Sequence, residues 1–588
     1  MAAGRGASGV VGSLAVNGPD QLTNRISVKL PRVAAERLSG GQALVRSLLG
    51  EGVEVVFGLP GVQLDWAFDA LYEARDSIRV YHTRHEQATA YMADGYARTT
   101  GEVGVCMVVP GPGLLNASAA LATAFACSSR VLCVTGQVDS RGIDLGFGLL
   151  HEIPHQESVL ASVTSWSGRA LEPAQVPGLV RESFRRLRSG RSRPVALEVP
   201  LDVLQRFDDV HLMATAPCAQ PSASADPDKL RQAAGLLHGA QSPVIYSGGG
   251  VLAAGAWHEL QALAELLEAP VIMSVDGRGA VSDRHHLAHT GVTGQSLLRE
   301  ADVVLGIGTR FWQPVRVWGF AAGASVIRVD VDQNELERHG HPSIGIVGDA
   351  RQVLAGLLDQ LHGITPRPSR RAELTAVKAA AEQQLKAFQP QAAFAGAIRA
   401  ALPDNGIAVN DLTQVTFFNT IGFPVYAPRT FIGPGYQGTL GSGFATALGA
   451  QVGHPDRPVV AIAGDGGFLY SIAELATQRQ HGLSVVSIVF NDRAFGNVKR
   501  TQQQTFSGHL IASDLVNPDF VALARSFGIA AERVYAPAQL EAALRSALAG
   551  CAPALIEVEV GAMSDVWPVM GPAGGAYPIF FGPPPSTG

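Results

Sequence analysis

Short runs of apolar, often β-branched residues alternate with helix-like stretches along most of the chain. In the first third, VEVVFG (53–58), IRVYHT (78–83) and VGVCMVVP (103–110) each precede a stretch with helical character. Parallel strands joined by helical crossovers produce this pattern, because helices then cover both faces of the sheet. The alternation therefore predicts an α/β chain built from doubly wound parallel sheets.

Two linker-like stretches divide the alternation into three blocks. Residues 204–228 are rich in Pro, Ser and Ala, and TPRPSRR (365–371) ends the second block. The length of 588 residues, at about 150 residues per domain, suits three or four domains. We predict a flexible N-terminal tail at 1–37, a first α/β domain at 38–204, a central Rossmann-like domain at 226–365, a third α/β domain at 390–567 and a C-terminal tail or lid at 568–588.

Composition argues against two kinds of partner. Lys and Arg number 45 against 51 Asp and Glu, and the chain has no basic stripe, so nucleic acid is not an expected partner. Apolar runs end well before the roughly 20 residues that a membrane-spanning helix needs. The charged fraction is 16%, below the roughly 25% of typical domains, which predicts extensive burial in cores or subunit contacts.

The cysteines indicate a reducing compartment. They are too few and too scattered for a disulfide framework or a zinc site, and we predict a cytoplasmic location. The five are Cys106, Cys127, Cys133, Cys218 and Cys551.

The most informative segment is RPVVAIAGDGGFLYSIAELATQRQHGLSVVSIVFNDRAFGN (457–497). It has the pattern of a strand, a helix over 470–480 and a second strand, so Asp465 and Asn491 are expected at the carboxyl ends of parallel neighbours. Two oxygen donors suit Mg²⁺, which also keeps phosphate and water ligands, and Gly464, Gly466 and Gly467 allow close approach of an anion. A lone Asp-Gly is usually a turn, but this combination predicts a magnesium diphosphate site.

Gly-Asp-Gly followed by 24 residues and then Asn resembles the signature of thiamine-diphosphate-dependent enzymes. The resemblance is to the group that contains acetohydroxyacid (acetolactate) synthase, pyruvate oxidase and benzoylformate decarboxylase. It covers roughly residues 38–570. Further segments that resemble the family, in the family's order, are FGLPG (57–61), TRHEQATAYMADGYART (83–99), PGPGLLN (110–116), TGQV (135–138), PVALEVPLDV (194–203) and GTLGSGFATALGA (438–450).

The resemblance implies a pyrimidine-binding, a central and a diphosphate-binding domain, with thiamine diphosphate and Mg²⁺ as cofactors. It implies a decarboxylase or carboligase acting on a small 2-oxo acid, in which a thiazolium carbanion attacks the carbonyl group, CO2 leaves and an enamine follows. The family builds its active sites between subunits, so a homodimer or homotetramer is expected.

On the pyrimidine side, Glu86 matches the family's catalytic glutamate, although a Glu in a helix's first turn can also be a solvated residue. Gln137 and Asn116 match pocket positions, with capping or loop hydrogen bonds as the alternative. His151 is a further catalytic candidate, whereas His155 is more typical of a surface loop. Pro60 and Gly61 complete the residues that the resemblance assigns to this side.

On the diphosphate side, the resemblance assigns Asp465, Asn491 and the backbone carbonyl of Arg493 to the metal. Leu440 takes the position of a large apolar residue beneath the cofactor. The other residues assigned to cofactor binding, besides Asn491, are Gln414, Thr439, Gly466, Gly467, Phe468, Phe495, Gly496 and Asn497.

Departures from the synthase pattern leave the reaction open. Pro110 replaces a serine of the synthases, and Arg310-Phe311-Trp312-Gln313 stands where they have Arg-Phe-Asp-Asp near flavin, which argues against bound FAD. The alternatives are a 2-hydroxyacyl-CoA lyase or oxalyl-CoA decarboxylase-like enzyme, a flavin-containing oxidase, and a non-catalytic cofactor-binding relative.

Overall fold

Three six-stranded parallel sheets form the framework of the part of the protein that the structure describes. The structure is a computed structural model that describes residues 34–213 and 225–570. The predicted α/β class with three parallel-sheet domains is confirmed. Most of the two predicted tails and residues 214–224 lie outside the described residues. Within the described ranges, no helix has the length and apolar character needed to cross a membrane.

The first sheet has the strand order β3-β2-β4-β5-β7-β6, and β1 pairs with β8 in a separate antiparallel ribbon. The strands are Glu36–Ser39 (β1), Val55–Gly58 (β2), Arg79–His82 (β3), Gly104–Val108 (β4), Val131–Gln137 (β5), Trp166–Arg169 (β6), Val195–Pro200 (β7) and Phe207–Val210 (β8). The helices are Gly40–Gly50 (α1), Asp65–Glu73 (α2), Glu86–Thr100 (α3), Pro112–Ala126 (α4), Gln156–Val163 (α5), Val176–Arg188 (α6) and Leu201–Gln205 (α7).

The central sheet has the order β11-β10-β9-β12-β13-β14. Its strands are Pro243–Ser247 (β9), Val271–Met273 (β10), Ala288–His289 (β11), Val303–Ile307 (β12), Ser325–Asp330 (β13) and Ile344–Val347 (β14). The helices of this domain and the connector after it are Pro227–Gly239 (α8), Gly249–Ala253 (α9), Trp257–Leu267 (α10), Gly291–Arg299 (α11), Gln333–Glu337 (α12), Ala350–Gln360 (α13) and Arg371–Leu385 (α14).

The third sheet has the order β16-β15-β17-β18-β20-β19. Its strands are Ile407–Asn410 (β15), Phe431–Ile432 (β16), Val459–Gly464 (β17), Val485–Asn491 (β18), Ala530–Val534 (β19) and Ala554–Glu559 (β20). The helices are Gln391–Ala401 (α15), Gln414–Gly422 (α16), Gly443–Gly453 (α17), Asp465–Leu469 (α18), Leu475–Gln480 (α19), Gly496–Thr505 (α20), Phe520–Ser526 (α21), Pro537–Ala549 (α22) and Trp567–Met570 (α23).

The first and third sheets share one order, in which the strands run second, first, third, fourth, sixth, fifth. Helices α3 and α17 each connect the second and third strands of their sheet, and they pack against each other. A Cβ atom on Gly95 would lie 2.0 Å from the carbonyl oxygen of Thr446, and one on Gly449 would lie 1.9 Å from that of Met92. Both glycines are therefore required by reciprocal backbone contacts, as in an approximate two-fold relation between the domains.

A largely buried arginine, Arg98, connects the three domains. Arg98, on α3, donates to the carbonyl oxygen of Gly433 in the third domain at 2.6 Å. Its guanidinium also lies 3.5 Å from Asp94 and 3.7 Å from Asp276 of the central domain. Because burial disfavours an unpaired carboxylate, Arg98 compensates Asp94, which is fully buried.

Candidate active site

The predicted metal ligands meet at the carboxyl edge of the third sheet. Asn491 is the last residue of β18, and Asp465 follows β17 directly as the first residue of α18. Both are buried. The side-chain nitrogen of Asn517 donates to Asp465 Oδ2 at 2.6 Å and to Asn491 Oδ1 at 2.9 Å. The two ligand oxygens therefore converge on one point, as the sequence predicts.

The helix after Asp465 differs from the predicted one. Instead of one helix over 470–480, α18 starts at Asp465 and a 3₁₀ turn at Ile472–Glu474 precedes α19. The break occurs at Ser471, whose φ of −123° lies outside the helical range. The early start brings the backbone N–H groups of the first turn to the strand end, where an anion would bind.

A buried glutamate orients Asn491. The Asn491 side-chain nitrogen donates to Glu557 Oε1 at 2.8 Å, and Arg533 donates to Glu557 Oε2 at 2.8 Å. With its nitrogen held in this way, Asn491 presents its oxygen to Asp465. The sequence analysis missed Glu557, although an acidic residue inside the apolar strand PALIEVEV was the available signal.

The loop after Asn491 is held by backbone pairing with residues 513–515. Phe495 N donates to Ser513 O, and Leu515 N donates to Arg493 O, both at 2.8 Å. Arg493 has a φ of +56°, a left-handed conformation that is uncommon without glycine. Its carbonyl oxygen already has one backbone partner, so the assignment as third metal ligand depends on its second lone pair and stays a prediction.

The edge of the sheet suits a divalent cation. Burial raises the pKa of Asp465, and burial together with the Asp465 charge raises the pKa of Asp492 to about 6. A nearby cation would favour the ionised form of both carboxyl groups. In the described ranges, no cluster of three or more His, Cys, Asp or Glu residues could hold a metal by itself. A single carboxylate with an amide oxygen fits Mg²⁺, which keeps phosphate and water ligands.

The predicted residues next to Asp465 pack closely at this edge of the sheet. A Cβ atom on Gly466 would lie 2.6 Å from the Phe495 ring, and one on Gly467 would lie 3.1 Å from Leu440. Phe468 is fully buried against Phe444, with ring centroids 5.1 Å apart, so only its backbone is available to a cofactor.

An arginine that the sequence analysis missed joins two further predicted residues. Arg500 donates to Gln414 Oε1 at 2.7 Å and to Asn497 Oδ1 at 2.5 Å. Asn497 Oδ1 also accepts from the Trp567 indole at 2.8 Å. Gly496, the first residue of α20, lies beside this group. The Arg500 guanidinium also lies 3.6 Å from the Asp565 carboxylate, which pairs its charge.

The Thr439 hydroxyl pairs with that of Thr123 in the first domain at 2.9 Å.

Glu86 and Asn116 come together on the first domain. Glu86 is the first residue of α3, and Asn116 Nδ2 donates to its Oε2 at 2.9 Å. Glu86 is half-buried and Asn116 is exposed.

The loop that immediately precedes Glu86 is anchored to the third domain. Glu474, buried at the end of the 3₁₀ turn, accepts from the backbone N–H groups of Arg84 and His85 at 3.0 to 3.1 Å. Burial raises the pKa of Glu474. The contact joins positions 390 residues apart, which no local pattern predicts.

Gln137 and His151 have hydrogen-bond partners within the first domain. Gln137 is buried and donates to Glu198 at 3.3 Å. His151 Nδ1 lies 3.0 Å from Gln63 Oε1. For Gln137, this is the kind of local hydrogen bond that the sequence left open as the alternative to a pocket role. Within the described part of the chain, neither Gln137 nor His151 hydrogen-bonds to Glu86.

The other three residues lie in nearby loops. His155 is exposed, 3.9 Å from Asp144. Pro60 and Gly61 precede a 3₁₀ turn, and a Cβ atom on Gly61 would lie 2.6 Å from Val109.

Family models match each of the three sheet domains. Residues 38–160, 230–357 and 411–558 match the family models of the thiamine pyrophosphate enzyme N-terminal TPP-binding, central and C-terminal TPP-binding domains. A probable 2-ketoarginine decarboxylase of Pseudomonas aeruginosa is 35% identical over 545 residues, covering 90% of this chain and 95% of that protein.

Acetolactate synthases are similar to the chain over most of its length. A probable large subunit from Methanocaldococcus jannaschii is 33% identical over 569 residues, covering 91% of this chain and 94% of that protein. The large subunit of isozyme 3 of Escherichia coli is 32% identical over 540 residues, covering 87% and 92%. The chain therefore belongs to the thiamine-diphosphate-dependent decarboxylases and carboligases of the acetolactate synthase family.

Proposed function

We propose that this enzyme decarboxylates a small 2-oxo acid with thiamine diphosphate and Mg²⁺, in a site that two copies of the chain build together. The convergence of Asp465 and Asn491 is the observation that carries the proposal. Asp465, Asn491 and the Arg493 carbonyl would hold Mg²⁺. The first turn of α18 with Gly466, Gly467 and Phe468, and the group of Gln414, Phe495, Gly496 and Asn497, would hold the diphosphate.

The pyrimidine side would come from the first domain of the other copy. Glu86, steadied by Asn116, would hold a proton at the pyrimidine ring, and Leu440 and Thr439 would support the cofactor from below. Pro60 and Gly61 would line the pyrimidine side, and Gln137 and His151 would lie on the substrate side. When bound, thiamine diphosphate supplies the carbon nucleophile that attacks the 2-oxo group and accepts the electron pair released with CO2.

Turnover of a panel of 2-oxo acids tests the reaction. The protein would be reconstituted with thiamine diphosphate and Mg²⁺ and offered pyruvate, 2-oxobutanoate and 2-ketoarginine, with CO2 and organic products followed by mass spectrometry. We expect consumption of at least one acid, lost in Glu86→Ala. An aldehyde product would indicate a simple decarboxylase. A 2-alkyl-2-hydroxy-3-oxo acid, formed from two molecules of 2-oxo acid with loss of one CO2, would indicate a carboligase. Consumption of none would contradict the proposal.

The half-buried position of Glu86 supports an active site between two subunits, in a dimer or tetramer. Mixing Glu86→Ala with Asp465→Ala subunits tests this, because a mixed dimer has one site with both mutations and one site with neither. After co-refolding or co-expression, about a quarter of wild-type activity should return, since half of the dimers are mixed. No recovery despite mixed dimers on mass spectrometry would place both residues in one chain's site.

The central domain supports a reaction without flavin. The Tyr246 hydroxyl donates to Gln313 at 3.2 Å, and its ring packs edge-on against Phe311 and Trp318. Side chains of this protein therefore pack against the segment 310–313, which stands where the synthases have their flavin-region residues. Absorbance near 450 nm in the purified protein would contradict this. The free thiols of Cys106, Cys127, Cys133 and Cys551 support a reducing, cytoplasmic location.

A further inference from the structure

The side chain of Asn517 touches both predicted metal ligands. Its Nδ2 lies 2.6 Å from Asp465 Oδ2 and 2.9 Å from Asn491 Oδ1. An atom within hydrogen-bond distance of both oxygens lies between them, which is the position that a cation bound by both must take. Asn517 and a cation therefore cannot both be there with the amide nitrogen facing inward.

The other end of the same amide is unsatisfied. Asn517 Oδ1 is buried without a hydrogen-bond partner. Buried acceptors in folded proteins are nearly always paired, so an orphaned one calls for an explanation. Rotation about the last side-chain bond exchanges nitrogen and oxygen, and it would turn Oδ1 toward the point between Asp465 and Asn491.

The segment that carries Asn517 is well anchored on both sides. Before it, Leu515 N donates to Arg493 O in the loop that follows Asn491. After it, the Asp519 carboxylate caps α21 by accepting from Ala522 N at 3.0 Å. The amide can therefore rotate at its end while the backbone keeps it beside the two ligands.

The corresponding edge of the first sheet shows what a fully paired amide looks like. There Gln156 Oε1 accepts from Gly111 N at 2.9 Å, and its Nε2 donates to Gly136 O and Glu198 Oε2, both at 3.1 Å. Protein groups satisfy both ends of Gln156 but only one end of Asn517. Other buried amide oxygens, such as Asn419 Oδ1 and Gln478 Oε1, also lack a partner. The Asn517 amide differs from these because its nitrogen contacts both predicted metal ligands, so its unpaired oxygen points to a ligand at the edge of the third sheet.

We propose that Asn517 belongs to the cation site and that its amide oxygen binds the cation directly or through a water molecule on it. The inference rests on the proposed function, since it takes Asp465 and Asn491 as the metal ligands. It adds a third side chain from a segment that follows Asn491 by 26 residues. Asn517 acts on the cation and has no assigned role in the chemical step.

Binding without turnover tests the inference. Mg²⁺ would be titrated at fixed thiamine diphosphate, with quenching of tryptophan fluorescence as the readout; Trp567 lies against Asn497 in the site. Asn517→Ala and the similarly sized Asn517→Leu should weaken apparent Mg²⁺ affinity about tenfold or more, as loss of groups around a metal typically does. Asn517→Asp, which keeps an oxygen, should bind at least as tightly as wild type.

Two controls separate the possible failures. Asn405→Ala, in an exposed loop, should leave Mg²⁺ affinity unchanged. Asp465→Ala should abolish the response; if it does not, the proposed metal site itself fails. If Asp465→Ala abolishes binding while Asn517→Ala and Asn517→Leu bind as well as wild type or better, the amide only competes with the cation and the inference is overturned. Should the alanine variant not fold, equal affinities of the Leu and Asp variants would overturn it as well.

Discussion

The first and third domains have a corresponding set of three polar residues at the carboxyl edge of their sheets. In each, an amide at the end of the fourth strand contacts a glutamate on the sixth strand, which pairs with an arginine on the fifth. The sets are Gln137, Glu198 and Arg169 in the first domain and Asn491, Glu557 and Arg533 in the third. Register agrees as well, since each arginine lies directly opposite its glutamate.

The difference lies at the end of the third strand. Pro110 and Gly111 follow β4 where Asp465 and Gly466 follow β17. In the first domain, beside Pro110, Gln156 covers the sheet edge and hydrogen-bonds only to protein groups. Where aspartate stands, two oxygens converge and Asn517 keeps one atom unpaired. The Asp465 carboxylate is thus the difference between the candidate metal site of the third domain and the fully paired sheet edge of the first.

The largest expected effect is loss of cofactor binding by a variant of the third domain, compared with loss of turnover alone by a variant of the first domain. Asp465→Ala should abolish Mg²⁺-dependent binding of thiamine diphosphate. Glu86→Gln should leave binding nearly intact and reduce kcat about 10²- to 10⁴-fold, because only the proton-holding group is lost. Calorimetric binding and steady-state kinetics on both variants measure this. If both variants lose binding equally, the two domains do not have separate roles.

The next largest effect tests the two-fold packing of α3 on α17. Gly95→Ala and Gly449→Ala each bring a Cβ atom to about 2 Å from a backbone carbonyl oxygen of the facing helix. Overpacking of this kind costs about 1–3 kcal/mol or more, and the backbone cannot yield like a side chain. Both variants should melt several degrees below wild type by circular dichroism. A large loss in one and none in the other would show that the contacts are not reciprocal.

A smaller, more selective effect separates the two glutamates. Glu557→Gln should weaken Mg²⁺ affinity about 10- to 100-fold, because Asn491 loses the group that orients its amide. Glu198→Gln should lower the melting temperature and leave Mg²⁺ affinity unchanged. The Mg²⁺ titration and thermal unfolding of both variants give the comparison. An unchanged affinity in Glu557→Gln would mean that Asn491 does not depend on this contact.

The smallest effect is the control for the glycine pair. Gly178 lies on the exposed face of α6, and a Cβ atom there would meet nothing within 4 Å. Gly178→Ala should raise stability by about 0.5–1 kcal/mol, since alanine loses less backbone freedom in a helix. Destabilisation would mean that alanine at a helical glycine is harmful in this protein irrespective of close contacts.

Sequence reasoning located the edge at which Asp465 and Asn491 meet, because its cause is local. The apolar runs before Asp465 and Asn491 identify strands, and parallel neighbours place their carboxyl ends at one edge. It also placed Glu86 at a helix start, where α3 does begin. It failed for the helix over 470–480, because the break at Ser471 goes with the contact of Glu474 to the first domain, which is not local.

The partners of the site residues could not be found in this way. Glu557 follows Asn491 by 66 residues, and Gln156 follows Gly111 by 45, with no fixed spacing between them. Hydrogen bonds of this kind depend on how helices and loops pack over the sheet. Arg500 and Asn517 were missed for the same reason, since each lies outside the strands that carry the recognisable pattern.

The sequence by itself determined the number and type of the domains, the family, and the two oxygen donors, Asp465 and Asn491, that meet at the carboxyl edge of the third sheet, because each is encoded in alternation or short spacing. The tertiary structure decided which amide is paired, which strand end is closed and which arginine compensates which carboxylate. Those outcomes depend on contacts between segments far apart in the chain, where burial makes each unpaired polar atom costly and so selects one arrangement.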